Sequence, residues 1–452
     1  MISRLSQSRL LQRSKTTDHL LQLQPFIIKT ALDHQVHFLS KLILTSSSIS
    51  LQFARQIFDE SPISPPLFAW NTMMKEYSKK SVPLESVKMF VNLLRTELKP
   101  DKYTYPFVLK ASGRSWMAGV GGNVHSMVLK TGFDWDSHIC NTLIRMYGGC
   151  GLIGFSNQVF DEMSERDVVS WSSMIAAYVN CNCPTNALMV FQDMIVAHEK
   201  PNSITLVSLL SACTSLLNVK LGKSIHSYIL TNGIECHVEL GTALLEMYAK
   251  CGHMLEGFRI FDSVNYKSLQ SWTVMISCLA DNGRGEEALS LFTRMEEAGL
   301  QPDSKSFSSI LCACSHMGLV EEGQHYFNKM VKVYNIKPAM EHYGCMVDMF
   351  GRAGRIEKAY QVMKTMPLEP NSVILRSYIS ACRNHGHFVC EDNHLGQLLL
   401  KIEPDLGANY VLSASMFSLS GYWSDTNDLR FMMKEKGVKK VPGHSWVQTS
   451  NV

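Results

Sequence analysis

Apolar residues recur along most of the chain at spacings of three and four, the period of amphipathic helices. Residues 269–303 contain two such stripes, one through Trp272, Met275, Ile276 and Leu279 and one through Ala288, Leu289, Leu291, Phe292 and Met295. Asn282-Gly283 separates the stripes, and Gly299 and Pro302 follow the second, as residues that end helices do. The pattern predicts two short helices in this segment, and no segment alternates with the period of a β-strand.

The same pattern returns every 101 residues, and its clearest markers are Trp70, Trp171 and Trp272. Units of 35, 35 and 31 residues fill one period. Nine units follow from this division: 67–101, 102–136, 137–167 (extending to about 168), 168–202, 203–237, 238–268, 269–303, 304–339 and 340–371. Because a helix pair of this size cannot bury both apolar stripes alone, neighbouring pairs must stack. The sequence therefore predicts an all-α solenoid of helix-turn-helix repeats with a concave groove.

The two ends of the chain depart from this regular pattern. Residues 35–66 contain a unit-like stretch whose register slips by about one residue, which indicates an atypical repeat. Residues 1–34 carry Arg4, Arg9, Arg13, Lys15 and Lys29 against a single Asp18 among the first thirty residues. This composition predicts a transit peptide followed by a partial repeat, and the alternative is a basic helix of an incomplete first repeat.

Composition narrows the classes of function. Apolar residues make up 46% and charged residues 18% of the chain, so it can bury a core, and its formal net charge is only +3. A nucleic-acid ligand would therefore require a local concentration of positive charge. No stretch is apolar enough to suggest membrane insertion. The 13 cysteines include no CxxC pair, and recurring ones such as Cys150 and Cys251 are expected to pack between helices, so no metal or cofactor is expected.

Particular motifs give these repeats a family resemblance. Units that begin like Val168-Val169-Ser170-Trp171 and end like Lys200-Pro201-Asn202 resemble the plant pentatricopeptide repeat (PPR), and the 35, 35, 31 alternation resembles its PLS subfamily. Residues 372–452, with Ser380–Gly386, Tyr410-Val411-Leu412 and Pro442–Trp446, resemble the E-type carboxy-terminal extension of that subfamily. The resemblance implies a right-handed superhelix that binds single-stranded organellar RNA.

Many relatives in this subfamily continue into a DYW-type cytidine deaminase domain. Its chemistry requires a zinc ion, a glutamate in an HxE triplet and a CxxC pair. Because this sequence has no CxxC pair, we expect no enzyme activity, and cytidine editing would need a deaminase supplied in trans as a partner.

The resemblance also implies which residues read bases. In the family, the fifth and last residues of a unit together contact the Watson–Crick edge of one base. Five pairs fit this pattern: Asn71 with Asp101 for uracil, Asn141 with Asp167 for a pyrimidine, Ser172 with Asn202 for adenine, Thr242 with Ser268 for a purine, and Thr273 with Asp303 for guanine. The remaining units leave their bases open. We expect the fifth side chain to point into the groove, because it lies off the apolar stripe.

Other candidate contacts involve charge and stacking. Cations at the thirteenth place of four units would bind the RNA backbone, namely Lys79, Arg114, Lys250 and Arg352. Val169 and Ile204, second in their units, could pack against bases. For Trp70, Trp171 and Trp272 we favour core packing over base stacking.

Together with the transit-peptide composition, the resemblance implies a sequence-specific RNA-binding protein of the mitochondrion, or alternatively of the chloroplast, that selects sites for cytidine-to-uridine editing. RNA stabilisation, processing or splicing without editing is the first alternative. A scaffold that binds a peptide in its groove is the second. No membrane and no small-molecule substrate is expected as a partner.

Overall fold

The computed structural model describes residues 16–80, 82–264, 267–386, 393–419 and 421–439. The chain divides into two compact segments, Met1–Glu235 and Cys236–Val452, which are described separately. The described residues contain α-helices, one short 3-10 helix and no β-strand. The all-α prediction is confirmed.

Thirteen α-helices lie in the described part of the first segment. In chain order they are α1 Thr17–Lys29, α2 Val36–Ile49, α3 Leu51–Asp59, α4 Leu67–Lys79, α5 Pro83–Leu93, α6 Thr104–Arg114, α7 Ala118–Thr131, α8 Ser137–Gly149, α9 Ile153–Glu162, α10 Val168–Asn180, α11 Pro184–Val196, α12 Ser203–Ser215 and α13 Val219–Thr231. The 3-10 turn Leu32–His34 connects α1 to α2.

Twelve α-helices lie in the described part of the second segment. They are α14 Val238–Lys250, α15 Met254–Ser263, α16 Leu269–Asp281, α17 Gly285–Glu297, α18 Ser304–Met317, α19 Val320–Lys332, α20 Met340–Arg352, α21 Ile356–Thr365, α22 Ser372–His385, α23 Asn393–Ile402, α24 Gly407–Leu419 and α25 Trp423–Glu435. Each of the nine predicted units thus contains two helices, and residues 35–66 contain a further pair.

Helix contacts follow one rule within each segment. The first helix of a repeat packs against the first helix of the next repeat, as α8 packs on α6 and α10. The second helix packs on the first helix of its own repeat and on that of the following one, as α9 packs on α8 and α10. This arrangement covers the apolar stripes that a single hairpin leaves open.

An aromatic contact marks the junction between repeats at each 101-residue step. Trp171 meets the edge of Phe160 from the preceding repeat at 5.1 Å between ring centroids, and Trp272 meets Phe261 at 5.0 Å. Trp70 meets Phe58 in the same geometry at 4.7 Å. All three tryptophans are buried, which confirms their packing role. Phe58 lies 102 residues before Phe160, not 101. The aromatic contact therefore forms even though the repeat before residue 67 is out of register by one residue.

Glycines in the left-handed region connect the two helices of some repeats. Gly151 follows α8 with a φ of 75°, and Gly252 follows α14 with a φ of 81°. An L-residue with a side chain is disfavoured in this conformation, which explains why glycine recurs at this place 101 residues apart.

Helices continue beyond residue 371 into the predicted extension. Glu403 connects α22 with α24, because it accepts hydrogen bonds from Ser372 Oγ and Arg376 Nη1 of α22 and from Asn409 Nδ2 of α24. Pro442–Trp446 and the amino-terminal cations Arg4, Arg9, Arg13 and Lys15 lie outside the described residues. No helix in the described ranges is both long and apolar enough to cross a membrane.

A close approach between first helices yields a test of the stacking. A Cβ added at Gly148 would lie 2.5 Å from the Ala177 Cβ and 2.9 Å from the Ala177 Cα, so α8 and α10 would have to move apart. We expect Gly148→Ala to destabilise the protein by about 1–3 kcal/mol, the usual result of overpacking.

Gly122, inside α7, supplies the matched control because a Cβ there meets no atom within 4 Å. Gly122→Ala should stabilise the chain by up to about 1 kcal/mol through helix propensity. Urea unfolding followed by circular dichroism measures both variants. Equal shifts for the two alanines would contradict the assigned contact.

Candidate functional site

The last residue of a repeat caps the first helix of the following repeat. The side chain of Asp167 accepts from the Ser170 amide at 2.8 Å, and that of Asn202 accepts from the Thr205 amide at 2.9 Å. Asp303 and Ser268 cap α18 and α16 in the same manner. These bonds satisfy backbone N–H groups that have no partner inside the helix. The local sequence requirement at these first helices is therefore a short polar side chain just before the helix.

The fifth residue of a repeat lies directly against this cap in two pairs. Asn71 Nδ2 donates to Asp101 Oδ1 at 3.1 Å, and Asn141 Nδ2 donates to Asp167 Oδ1 at 3.4 Å. Burial alone would raise the pKa of the Asp167 carboxyl, but hydrogen bonds from Ser170 and Asn141 outweigh it and hold that pKa below its ordinary value. The Asp167 carboxylate is therefore ionised at neutral pH and can only accept.

A bridging hydroxyl joins the other three pairs, and it belongs to the third residue of the capped helix. Ser172 bonds the Thr205 hydroxyl at 2.7 Å, and Thr205 donates to Asn202 Oδ1 at 3.0 Å. Ser271 bridges Thr242 to Ser268, and Ser306 bridges Thr273 to Asp303. The structure thus brings together the two members of all five pairs named from the sequence.

Burial distinguishes the two members of a pair. The fifth residues lie between consecutive first helices, where Asn71, Asn141, Ser172 and Thr242 are 8%, 5%, 1% and 6% exposed and Thr273 is half-buried. The last residues lie nearer the surface, and Asp167 and Asp303 are exposed. We expected the fifth side chains to project into a groove. They are instead largely covered, because each hydrogen-bonds a side chain that lies 26 to 33 positions further along the chain.

One of the buried amides has an unused acceptor. The Thr104 hydroxyl is within hydrogen-bond distance of both Asp101 Oδ1, at 2.8 Å, and Asn71 Oδ1, at 2.9 Å. The equivalent hydroxyl of Ser170 donates to Asp167 Oδ1 at 2.8 Å and makes no such contact with Asn141. Asn141 Oδ1 is consequently buried with no hydrogen-bond partner in the described structure. A buried acceptor without a donor costs free energy, so this oxygen favours a ligand that brings an N–H or O–H group.

Positive charge is concentrated on three successive first helices, α4, α6 and α8. A cleft of ≈ 400 Å³ runs across them, and its lining includes Lys75, Lys79, Lys110, Arg114 and Arg145. Among the described residues that line it there is no aspartate or glutamate. Arg114 also donates to the Ser78 carbonyl of the preceding repeat at 2.5 Å, and Arg145 donates to Ser173 Oγ of the following one at 2.9 Å. This cationic cleft provides the local concentration of positive charge that a nucleic-acid ligand would require.

Three of the cleft cations were not predicted from the sequence. Lys75, Lys110 and Arg145 occupy the ninth place of their repeats, and their even spacing of 35 residues was a readable signal. Lys250 and Arg352, which were named, instead pair with carboxylates one turn earlier on their own helices, at 2.7 Å from Glu246 and from Asp348. Lys79 lies 3.4 Å from Glu76.

An exposed apolar side chain occupies the second place of several repeats. Val169 and Ile204 are 42% and 58% exposed, and Phe68 and Tyr103 hold the same place in their repeats with more than half of their surface exposed. Such residues can pack against flat apolar rings.

The described residues show no assembly suited to metal chemistry. No group of three histidine, cysteine, aspartate or glutamate side chains is placed to hold a metal ion in the described ranges. One HxE triplet does occur, His237-Val238-Glu239, but it lies at the start of α14 inside a repeat.

Family models match several parts of the chain. The PPR repeat family matches residues 166–215 and 267–316, and the PPR repeat matches 138–168, 305–333 and 341–369. The E motif matches residues 393–448.

Two relatives from Arabidopsis thaliana align over nearly the whole chain. Pentatricopeptide repeat-containing protein At2g02980, chloroplastic, is 35% identical over 447 residues, which cover 98% of this chain and 74% of the relative. Pentatricopeptide repeat-containing protein At1g59720, chloroplastic/mitochondrial, is 35% identical over 457 residues, which cover 96% of this chain and 70% of the relative.

A solved structure shares the fold at low sequence identity. It is the pentatricopeptide repeat protein PPR10 in complex with an 18-nt psaJ RNA element, which superposes with a TM-score of 0.68 at 17% identity. The match covers 91% of this chain, which spans 62% of the PPR10 chain.

Proposed function

Because the chain belongs to the pentatricopeptide repeat family, we propose that it is a sequence-specific single-stranded RNA-binding protein of organellar RNA metabolism. The observation that carries this proposal is the cationic cleft across α4, α6 and α8, which adjoins the first two repeats with paired fifth and last residues. Phosphates bind Lys and Arg, and base edges bind short polar side chains. PPR10, which has the same fold, was crystallised with RNA.

In this proposal each polar pair reads one base. The last residue, which lies nearer the surface, meets the Watson–Crick edge first, and the fifth residue offers its amide or hydroxyl deeper in the same site. Asn141 with Asp167 supports this best, because a pyrimidine with a ring N–H, such as uracil, would supply the donor that Asn141 Oδ1 lacks. Asn71 with Asp101 reads uracil, Ser172 with Asn202 adenine, Thr242 with Ser268 a purine, and Thr273 with Asp303 guanine. Lys79 and Arg114 bind the backbone together with the ninth-place cations, whereas Lys250 and Arg352 contribute less because of their ion pairs.

The cationic cleft should dominate the salt dependence of RNA affinity. We expect Lys110→Ala to reduce the slope of log affinity against log salt concentration by about 0.7, the value for one phosphate contact on a single strand. Lys130→Ala is the matched control, since Lys130 lies on α7, the second helix of the same repeat. Fluorescence anisotropy with a labelled RNA at several salt concentrations measures both slopes. Equal slopes for the two variants would remove Lys110 from the binding surface.

Base selection can be tested at one repeat. Thr273 Oγ1 bonds the Leu269 carbonyl at 2.9 Å and the Ser306 hydroxyl at 2.7 Å, so an amide in its place changes the donors and acceptors offered to a base. We expect Thr273→Asn to lower the preference for guanine over uracil under this repeat about 10-fold, or about 1.4 kcal/mol.

Thr293→Asn is the control, because Thr293 also bonds a carbonyl one turn earlier but lies exposed on the second helix, α17. Competition binding with RNAs that differ at one nucleotide gives the preference. A guanine preference unchanged in Thr273→Asn would show that this residue reads no base.

The finer proposal is that the protein selects sites for cytidine-to-uridine editing, with a DYW-type deaminase supplied in trans. The matched E motif supports it, since the resemblance associates this extension with editing. The relatives carry chloroplastic and chloroplastic/mitochondrial names, which supports an organellar location. We propose the mitochondrion, with the chloroplast as the alternative.

Transcript sequencing in a plant line that lacks the protein tests this role. We expect the loss of one cytidine-to-uridine change, four nucleotides beyond the base under residues 340–371. Restoration by the intact chain, but not by a Lys75, Lys110 and Arg145 triple-alanine variant, would tie the change to the cleft. A complete set of edited sites together with a shortened or unspliced transcript would favour the alternative role in RNA stabilisation, processing or splicing.

A further inference from the structure

Two thiols from consecutive repeats line one cleft in the second segment. Cys312 lies on α18 and Cys345 on α20, and the cleft of ≈ 390 Å³ that they share also includes Ser315 and Asp348. Ser315 Oγ donates to Asp348 Oδ2 at 2.6 Å. Because both pairs are separated by 33 residues, the Ser315–Asp348 bond holds the two helices in the register that sets the cysteines opposite each other.

The thiol of Cys345 lies against the turn of α18 that ends at Cys312. Its Sγ is 3.9 Å from the carbonyl oxygen of Ser308, which precedes Cys312 by one helical turn. The Cys345 thiol is also the group that most strongly affects the Cys312 sulfur. The two sulfur atoms are therefore neighbours across the helix interface, unlike Cys314, which lies buried on another face of α18.

A histidine is oriented towards Cys312 by the preceding repeat. His316 Nδ1 donates to the Ala280 carbonyl of α16 at 3.1 Å, since a carbonyl can only accept. The remaining nitrogen, Nε2, lies 3.7 Å from Cys312 Sγ. A thiol next to an oriented imidazole is the arrangement that activates cysteine nucleophiles.

Among the described cysteines with a resolved shift, Cys312 alone has a lowered pKa. The hydrogen bond from Cys345 outweighs burial and, with His316, lowers the pKa of Cys312 to about 7, against the opposing charges of Asp281 and Asp348. The same hydrogen bond, with burial, raises the pKa of Cys345. Burial raises the pKa of Cys278 and of Cys314 to about 12.

We propose that Cys312 and Cys345 form a thiol oxidation site that reacts with hydroperoxides and closes to a disulfide between consecutive repeats. The Cys312 thiolate attacks one oxygen of hydrogen peroxide, the O–O bond breaks, and Cys312 becomes a sulfenic acid as hydroxide leaves and takes up the proton that the Cys312 thiol had released, which gives the first water. The sulfur of Cys345 then attacks the Cys312 sulfur, the S–O bond breaks, and a second water carries away the thiol proton. Two thiols are oxidised and one hydrogen peroxide is reduced to two waters.

Metal binding does not compete for this pair, because no third ligand is grouped with it in the described ranges. The disulfide would join the first helices of repeats 304–339 and 340–371 and close a loop of 33 residues, which restricts the unfolded chain. The inference does not rest on RNA binding, so it can be tested on the free protein.

The experiment uses the reduced full-length chain, treated near pH 7 with hydrogen peroxide at about one equivalent. We expect a mass loss of about 2 Da, for two hydrogen atoms, and a peptide pair joined through Cys312 and Cys345. The Cys314→Ala variant must give the same cross-link, which excludes the neighbouring thiol in the same peptide. Cys312→Ser and Cys345→Ser must each abolish it, while both keep the circular dichroism spectrum of the parent.

Cys236 supplies the comparison of reactivity, because it is exposed while its pKa is raised by burial of the thiol. We expect iodoacetamide to alkylate Cys312 at least about 10-fold faster than Cys236 near neutral pH, since only the thiolate reacts. Alkylation that follows exposure, with Cys236 first, would overturn the proposal. Oxidation of Cys312 to a sulfinic acid without the cross-link would overturn it as well.

Discussion

The junction between consecutive first helices depends on one polar interaction, the hydrogen bond that a capping side chain accepts from a backbone N–H at the start of the next first helix. A stacked helix cannot leave its first N–H groups without partners. Asp167, Asn202, Ser268 and Asp303 satisfy them, each cap contributing about 1 kcal/mol, and the fifth residue of the earlier repeat holds the cap in place. The apolar contacts on either side, such as Phe160 with Trp171, require the helix positions that this junction sets.

Charge is distributed unevenly over repeats that share one geometry. The ninth place of a repeat carries Lys75, Lys110 and Arg145 in the first segment, but Glu246 and Asp348 in the second. A net charge of +3 is therefore compatible with a strongly cationic surface. The carboxylates of the second segment also have structural partners, because Asp348 accepts from Ser315, Arg352 and Ser377. Under the proposed function, phosphate binding and inter-repeat bonding thus use the same position in different parts of the chain.

Periodicity was sufficient to predict the helix pairs and the buried tryptophans, because both follow from local spacing. The ion pairs of Lys250 and Arg352 were also readable, since Glu246 and Asp348 precede them by four residues. The burial of Asn71 and Ser172 could not be predicted in this way. It arises from contacts with Thr104 and Thr205, which lie 33 residues further along the chain, and this interval differs from the repeat length of 35. Cys312 and Cys345 are also 33 residues apart, so the repeat length did not reveal that they are neighbours.

The last residue of a repeat caps a helix and is also proposed to contact a base, and these two roles together limit how such a repeat can evolve. Under the proposed function, a mutation that changes the selected base must also leave a side chain able to cap a helix, and the effective caps are few: Asp, Asn, Ser and Thr. Ala339 is an exception, since its side chain cannot cap a helix. Its backbone amide donates to His342 Nδ1 at 2.9 Å, so the imidazole of the following helix makes one of the hydrogen bonds at this helix start. New specificity is therefore most accessible through the fifth residue. A change at the last residue needs a compensating substitution in the helix that follows it.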